Sequence, residues 1–133
     1  MSFSGPIEDR LAIRELIDTY NDAIARFDAE AWGRTWTDDA EWELMGNVAR
    51  GRDAIVAFWQ KSMEQFELVV FQAVPGSVEI KGHEATGRVY AHEVVQPKGS
   101  PPLHMHGRYD DTYEKVGDDW LFSRRVYRVL SQY

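Results

Sequence analysis

The feature that most constrains this chain is a change in the period of its apolar residues at Leu68. Before it they recur at helical spacing, and after it they alternate between turn signals. Ile7, Leu11, Ile13, Leu16, Ile17, Tyr20, Ile24 and Phe27 form one stripe, with Asp9, Arg10, Arg14, Glu15, Asp18 and Asp22 largely between them. That pattern, opened by Ser4-Gly5-Pro6, predicts a long amphipathic helix. Phe27-Asp28-Ala29-Glu30 turns the chain into a short second helix through Trp32 and Trp36, closed by Thr37-Asp38-Asp39. Ala40 to Met45 reads as a strand ended by Gly46-Asn47. A third helix follows Gly51, with Ile55, Phe58, Trp59, Ser62 and Phe66 on one stripe.

From Leu68 the reading is of strands alone. Leu68 to Ala73 is β-rich, and Pro75-Gly76 breaks it. Ser77 to Lys81 and Glu84 to Gln96 pair across Gly82-His83, and Leu103 to Val116 and Trp120 to Leu130 pair across Gly117-Asp118-Asp119. Pro97 to Pro102 is a loop. Helices first and a strand meander afterwards define an α+β class, with the first helices packed into the concave face of a curved antiparallel sheet. With 133 residues and no linker or repeat, residues 1–133 form one domain.

Composition narrows the functions. A net charge of -7 argues against nucleic acid, which needs a basic stripe. No apolar run approaches the ~20 residues of a membrane span, so no membrane partner is expected. The absence of cysteine removes disulfides, thiolate metal sites and a Cys nucleophile, and fits a cytoplasmic location. MSFSGPIEDR carries no readable signal peptide. Aromatic residues make up 13% of the chain, enough for a ring-lined small-molecule cavity as well as a core.

Three groups of residues resemble a known family. Ile13-Arg14-Glu15-Leu16-Ile17-Asp18-Thr19-Tyr20 with Phe27-Asp28, Trp32 and Thr37-Asp38-Asp39-Ala40 resembles the opening of SnoaL-like domains, of the nuclear-transport-factor-2-like kind. Gly51-Arg52-Asp53-Ala54-Ile55 is similar to their third-helix entry. Gly107-Arg108-Tyr109-Asp110-Asp111, Trp120 and Arg124-Arg125 are similar to their closing hairpin. The resemblance implies a cone-shaped fold around one deep pocket. It also implies relatives as different as polyketide cyclases, scytalone dehydratase, ketosteroid isomerase and hexachlorocyclohexane dehydrochlorinase. A homodimer or higher homo-oligomer is expected, with a second copy covering the open sheet face.

The same resemblance supplies candidate catalytic residues. Asp28 stands where the dehydratase and dehydrochlorinase branch pairs an aspartate with a histidine as general base, but the matching histidine position is Phe71. Asp28 is equally a favoured helix cap. Tyr20 matches the phenol that polarises the carbonyl in ketosteroid isomerase. Asp111 matches that enzyme's second oxyanion donor and the acid–base aspartate of the cyclases. The isomerase's proton-shuttling aspartate corresponds to Leu44, with Glu43 a possible replacement. His92 and His106 are the substitutes for the missing base. His104 and His106 alternate on one strand face, but nothing else has ligand spacing, so no metal and no cofactor are expected.

Tyr109, Asp111 and Tyr113 share a strand face, which the resemblance makes the inner one. Arg125 and Tyr127 can join them, Arg125 either binding substrate or pairing with Asp111. Phe71, Leu44 and Trp42 complete the wall, and Glu93 is a further pocket carboxylate on strand parity. The leading expectation is a cofactor-independent lyase or isomerase acting on a small, largely apolar molecule. The alternatives are a non-catalytic binding or dimerisation module and an accessory subunit of a larger enzyme, in which Asp28 only caps and Asp111 only pairs.

Overall fold

The computed structural model describes residues 2–133. The apolar stripe becomes helix α1 (Ile7–Ala25), whose Ile13, Leu16, Ile17, Tyr20, Ala23 and Ile24 are buried. Helix α2 (Ala29–Gly33) follows, and α3 (Arg52–Met63) buries Ile55, Trp59 and Met63. The strands are β1 (Phe3–Ser4), β2 (Trp36–Leu44), β3 (Asn47–Arg50), β4 (Phe66–Lys81), β5 (Glu84–Pro97), β6 (Leu103–Val116) and β7 (Asp119–Gln132). They form one curved, unclosed seven-stranded sheet in the order β1-β4-β5-β6-β7-β2-β3. The α+β reading therefore holds, with α1 laid against β4 and β7.

Four local expectations are corrected. The second helix stops at Gly33, and Trp36 already begins β2, because Trp36 pairs in parallel with Phe122 of β7. The Phe122 amide donates to the Thr35 carbonyl at 2.8 Å, a partner no local window reveals. Asn47 opens β3, hairpinned on β2 across Met45-Gly46, where Met45 takes a left-handed φ of 49°. Phe66 belongs to β4 and not to α3. Pro75-Gly76 does not break β4 but shifts its register against β5. A Cβ on Gly76 would lie 2.6 Å from the Tyr90 ring, so glycine lets that ring cross the bulge. The sheet is also not wholly antiparallel, since β1 pairs parallel with β4 and β2 with β7.

Aromatic rings dominate the core between helices and sheet. Tyr20 lies 5.4 Å from Trp32, 5.3 Å from Phe122 and 6.0 Å from Phe71, and Trp32 stacks on Trp59 at 4.7 Å. Such rings supply large apolar area in rigid shapes. Where they stop short of one another, toward α3 and the β2–β3 hairpin, a cavity remains.

Candidate active site

The cavity has a volume of about 480 Å³, within the usual range of small-molecule sites. Tyr20, Trp42, Leu44, Phe71, Glu93, Tyr109 and Tyr127 all line it. The third helix and the β2–β3 turn add Met45, Phe58, Trp59 and Met63, β4 adds Phe66, and β6 adds Met105.

Glu93 is the carboxylate of this wall. It sits on β5 between Phe71 of β4 and Met105 of β6, and so beside the position where relatives are expected to carry a histidine. Burial alone acts on its carboxyl, with no countercharge or hydrogen bond to offset it, and pushes it up to about 7. A carboxyl poised there can take or give a proton near neutrality. Three phenols share the cavity. Burial raises Tyr20, against the pull of Arg125, and it raises Tyr109 and Tyr127, with the charge of Glu93 pushing both further. All three therefore stay protonated as donors.

Tyr127 owes its position to a glycine. A Cβ on Gly107 would lie 2.3 Å from three atoms of the Tyr127 ring, its hydroxyl oxygen among them. The ring thus lies directly over β6 at Gly107. The Tyr127 hydroxyl is buried without a hydrogen-bond partner, as is the indole N–H of Trp42. The two are diagonal neighbours, because Trp42 faces Arg125 and Leu44 faces Tyr127 across the β2–β7 seam. Unpartnered buried donors are costly unless something else accepts from them.

The remaining candidates lie outside the cavity lining. Asp28 caps α2, accepting from the Ala31 amide at 3.0 Å and from Arg26 at 2.8 Å. The Ala31 hydrogen bond, then Arg26, holds its carboxyl below the usual range. Asp111 is locked to Arg125, which donates through Nε at 2.8 Å and Nη2 at 3.0 Å, while the Tyr113 hydroxyl donates at 2.9 Å. Both ionic side chains are fully buried. Burial pushes the Asp111 carboxyl up, and Arg125 opposes it. The guanidinium stacks on the rings of Tyr109 at 3.8 Å, Phe122 at 4.2 Å and Tyr20 at 4.5 Å, so it underpins two cavity phenols without lining the cavity.

His92 and His106 are on the opposite face of the sheet. They stack at 4.5 Å, His92 meets His104 at 3.2 Å, and His106 meets the Tyr133 hydroxyl at 3.0 Å. Strand parity carries this placement, since Glu93 and Met105 point inward next to them. Among the described residues no group of three histidines, cysteines or carboxylates is disposed to hold a metal ion. Among the same residues no helix is long and apolar enough to cross a membrane.

The family model described as a SnoaL-like domain matches residues 6–126. No curated protein sequence matches the chain. Among solved structures, a candidate scytalone dehydratase from Novosphingobium aromaticivorans is 21% identical, with a TM-score of 0.89 over 96% of this chain and 87% of its own. A type-two hexachlorocyclohexane dehydrochlorinase is 16% identical, with a TM-score of 0.86 over 96% and 88%. An NTF2-like protein with a cystatin-like fold from N. aromaticivorans is 27% identical, with a TM-score of 0.76 over 94% and 84%.

Proposed function

The chain belongs to the SnoaL-like domain family, and on that premise we propose that it is an acid–base enzyme of the lyase or isomerase type, with Glu93 as its base. The observation that carries this reading is the uncompensated Glu93 carboxyl in the wall of one apolar cavity that the phenol-bearing residues Tyr20, Tyr109 and Tyr127 also line. The carboxylate takes a proton from the carbon beside a substrate carbonyl. The C–H electron pair becomes a C=C bond, and the carbonyl π pair moves to oxygen. A phenol of the lining donates to that oxygen as charge develops. The enolate then expels a leaving group from the next carbon, or is reprotonated elsewhere. The first outcome is elimination and the second double-bond migration. Attack of the enolate carbon on a second carbonyl of the same molecule, whose π pair moves to its oxygen and is protonated, is cyclisation.

The experiment is hydrogen–deuterium exchange of β-tetralone, whose ring carbons beside the carbonyl are acidic, followed by NMR in deuterated buffer. The protein accelerates exchange, the rate rises with pH to a plateau above about 7 as Glu93 ionises, and Glu93→Gln loses about 100-fold or more. The second reading is a non-catalytic binding module, which the confinement of Asp28 to a helix cap and Asp111 to an ion pair favours. Binding of tetralone without exchange would establish it.

A further inference from the structure

We propose that this cavity binds an amine, a small apolar body carrying a protonated primary or secondary nitrogen, and that the ammonium pairs with Glu93. The inference rests on the reading of this cavity as the site, but it concerns the ligand's charge and not turnover. Glu93 is the one ionic side chain of the lining among the described residues, with no lysine, arginine or histidine beside it. Its strand neighbours are Phe71 and Met105, and the remaining titratable groups of the wall are the phenols of Tyr20, Tyr109 and Tyr127. The three histidines of β5 and β6 lie on the other face of the sheet. The Glu93 carboxyl has no hydrogen bond, yet it is not sealed in. Its oxygens keep accessible surface, which the Tyr127 hydroxyl and the Trp42 N–H lack. A carboxylate so placed offers about four lone-pair sites and has no donor for any of them.

An ammonium supplies what is missing. Its N–H groups donate to the carboxylate in charge-assisted bonds, and its charge offsets that of Glu93 where little else screens it. A neutral ligand displaces water from the carboxylate without replacing it, and an anion is repelled. The aromatic wall favours the same choice. Trp42, Phe58 and Phe71 line the cavity, and ring faces attract a cation that has shed its water. The chain's own cation does not oppose it. Arg125 stacks on Tyr20 and Tyr109 but is matched by Asp111 through bonds of 2.8 and 3.0 Å, so the cavity meets a neutral pair. Of the lining residues Met45 is exposed and Phe58 and Phe66 are half-buried, which gives the apolar body an apolar mouth to rest in.

The test is equilibrium dialysis of β-phenylethylammonium and its neutral near-isostere β-phenylethanol. At about pH 8 the ammonium binds at least about tenfold tighter than the alcohol. Glu93 titrates at about 7, so its ionised fraction falls from about nine-tenths at about pH 8 to about one-tenth at about pH 6. Over that span the ammonium keeps its own proton, and its affinity drops about tenfold while that of the alcohol is unchanged. In Glu93→Gln, which keeps shape and removes charge, the two probes bind within about threefold of each other and the pH dependence is gone. The proposal is overturned if the ammonium does not bind, if the alcohol binds as tightly at about pH 8, if the ammonium's affinity is flat between about pH 8 and 6, or if Glu93→Gln keeps the preference. Tetralone exchange without any preference for the ammonium sinks this inference alone. The expected dialysis pattern without exchange sinks only the catalytic reading.

Discussion

Replacing Arg125 by methionine isolates what the buried ion pair does. Arg125 and Asp111 are both fully buried, joined by bonds of 2.8 and 3.0 Å, with Tyr113 donating to the same carboxylate at 2.9 Å. Arg125→Met leaves Asp111 as an uncompensated buried charge, an alteration that costs roughly 3–5 kcal/mol. Removing both charges, as in Asp111→Leu with Arg125→Met, avoids that cost, and such replacements are often neutral within ~1–2 kcal/mol. The double variant is therefore more stable than the single one, a sign inversion that additive contacts do not give. Burial raises the Asp111 carboxyl, and losing Arg125 removes what opposes that rise. A carboxyl raised by folding is stabilising below its unfolded value and loses that contribution as pH rises through its folded value. The deficit of Arg125→Met is thus largest at high pH and shrinks on acidification. Urea unfolding curves of the three variants across pH measure it. A single variant costing under about 1 kcal/mol, or a double as damaging as the summed singles, would refute the reasoning.

Other outcomes follow from the same geometry. Glu93 is raised from 4.5 to about 7, so the unaltered protein loses roughly 3 kcal/mol as pH rises through that span. Glu93→Gln is accordingly the more stable protein at about pH 8, and its advantage fades toward about pH 5 in thermal melts. Gly107→Ala drives the Tyr127 ring from its place, costs about 1–3 kcal/mol and slows tetralone exchange by moving the hydroxyl, which melting and NMR follow together. Asp28→Ala lowers the melting temperature modestly and leaves exchange unchanged, whereas a base-orienting role would abolish exchange. Sedimentation reports a homodimer, since Leu68, Val70, Val74 and Tyr90 expose apolar surface on neighbouring strands.

The long helix and the two hairpins were readable because their signals are local: a helical stripe for α1, Gly82-His83 and Gly117 for the turns. The start of β2 at Trp36, the hairpin strand β3 and the two-residue β1 were not, because distant partners impose them. Trp36 has no strand signal until Phe122 is beside it. The site was legible in part. Strand alternation put Tyr109, Asp111 and Tyr113 on one face, with Tyr127 able to join them, the resemblance made that face the inner one, and strand parity found Glu93. The same alternation puts His92 and His106 outward, a consequence available from Tyr109 and Glu93 alone. Asp28 and Asp111 have the residue types that chemistry uses, but Arg26 and Arg125 already hold them. The dependence of Tyr127 on Gly107 had no local signature, since the clash exists only when the two strands are side by side.

The parallel seam between β2 and β7 governs how this molecule can fold. It joins Trp42 of β2 to Arg125 of β7, strands separated in sequence by β3 to β6. Contacts so far apart in sequence close late and slow the search for the native state. The seam also joins Leu44 to Tyr127, so two of the cavity walls meet only when β7 docks. A ligand that needs both walls has no complete site until β7 docks, and by mass action it draws the equilibrium toward the folded molecule.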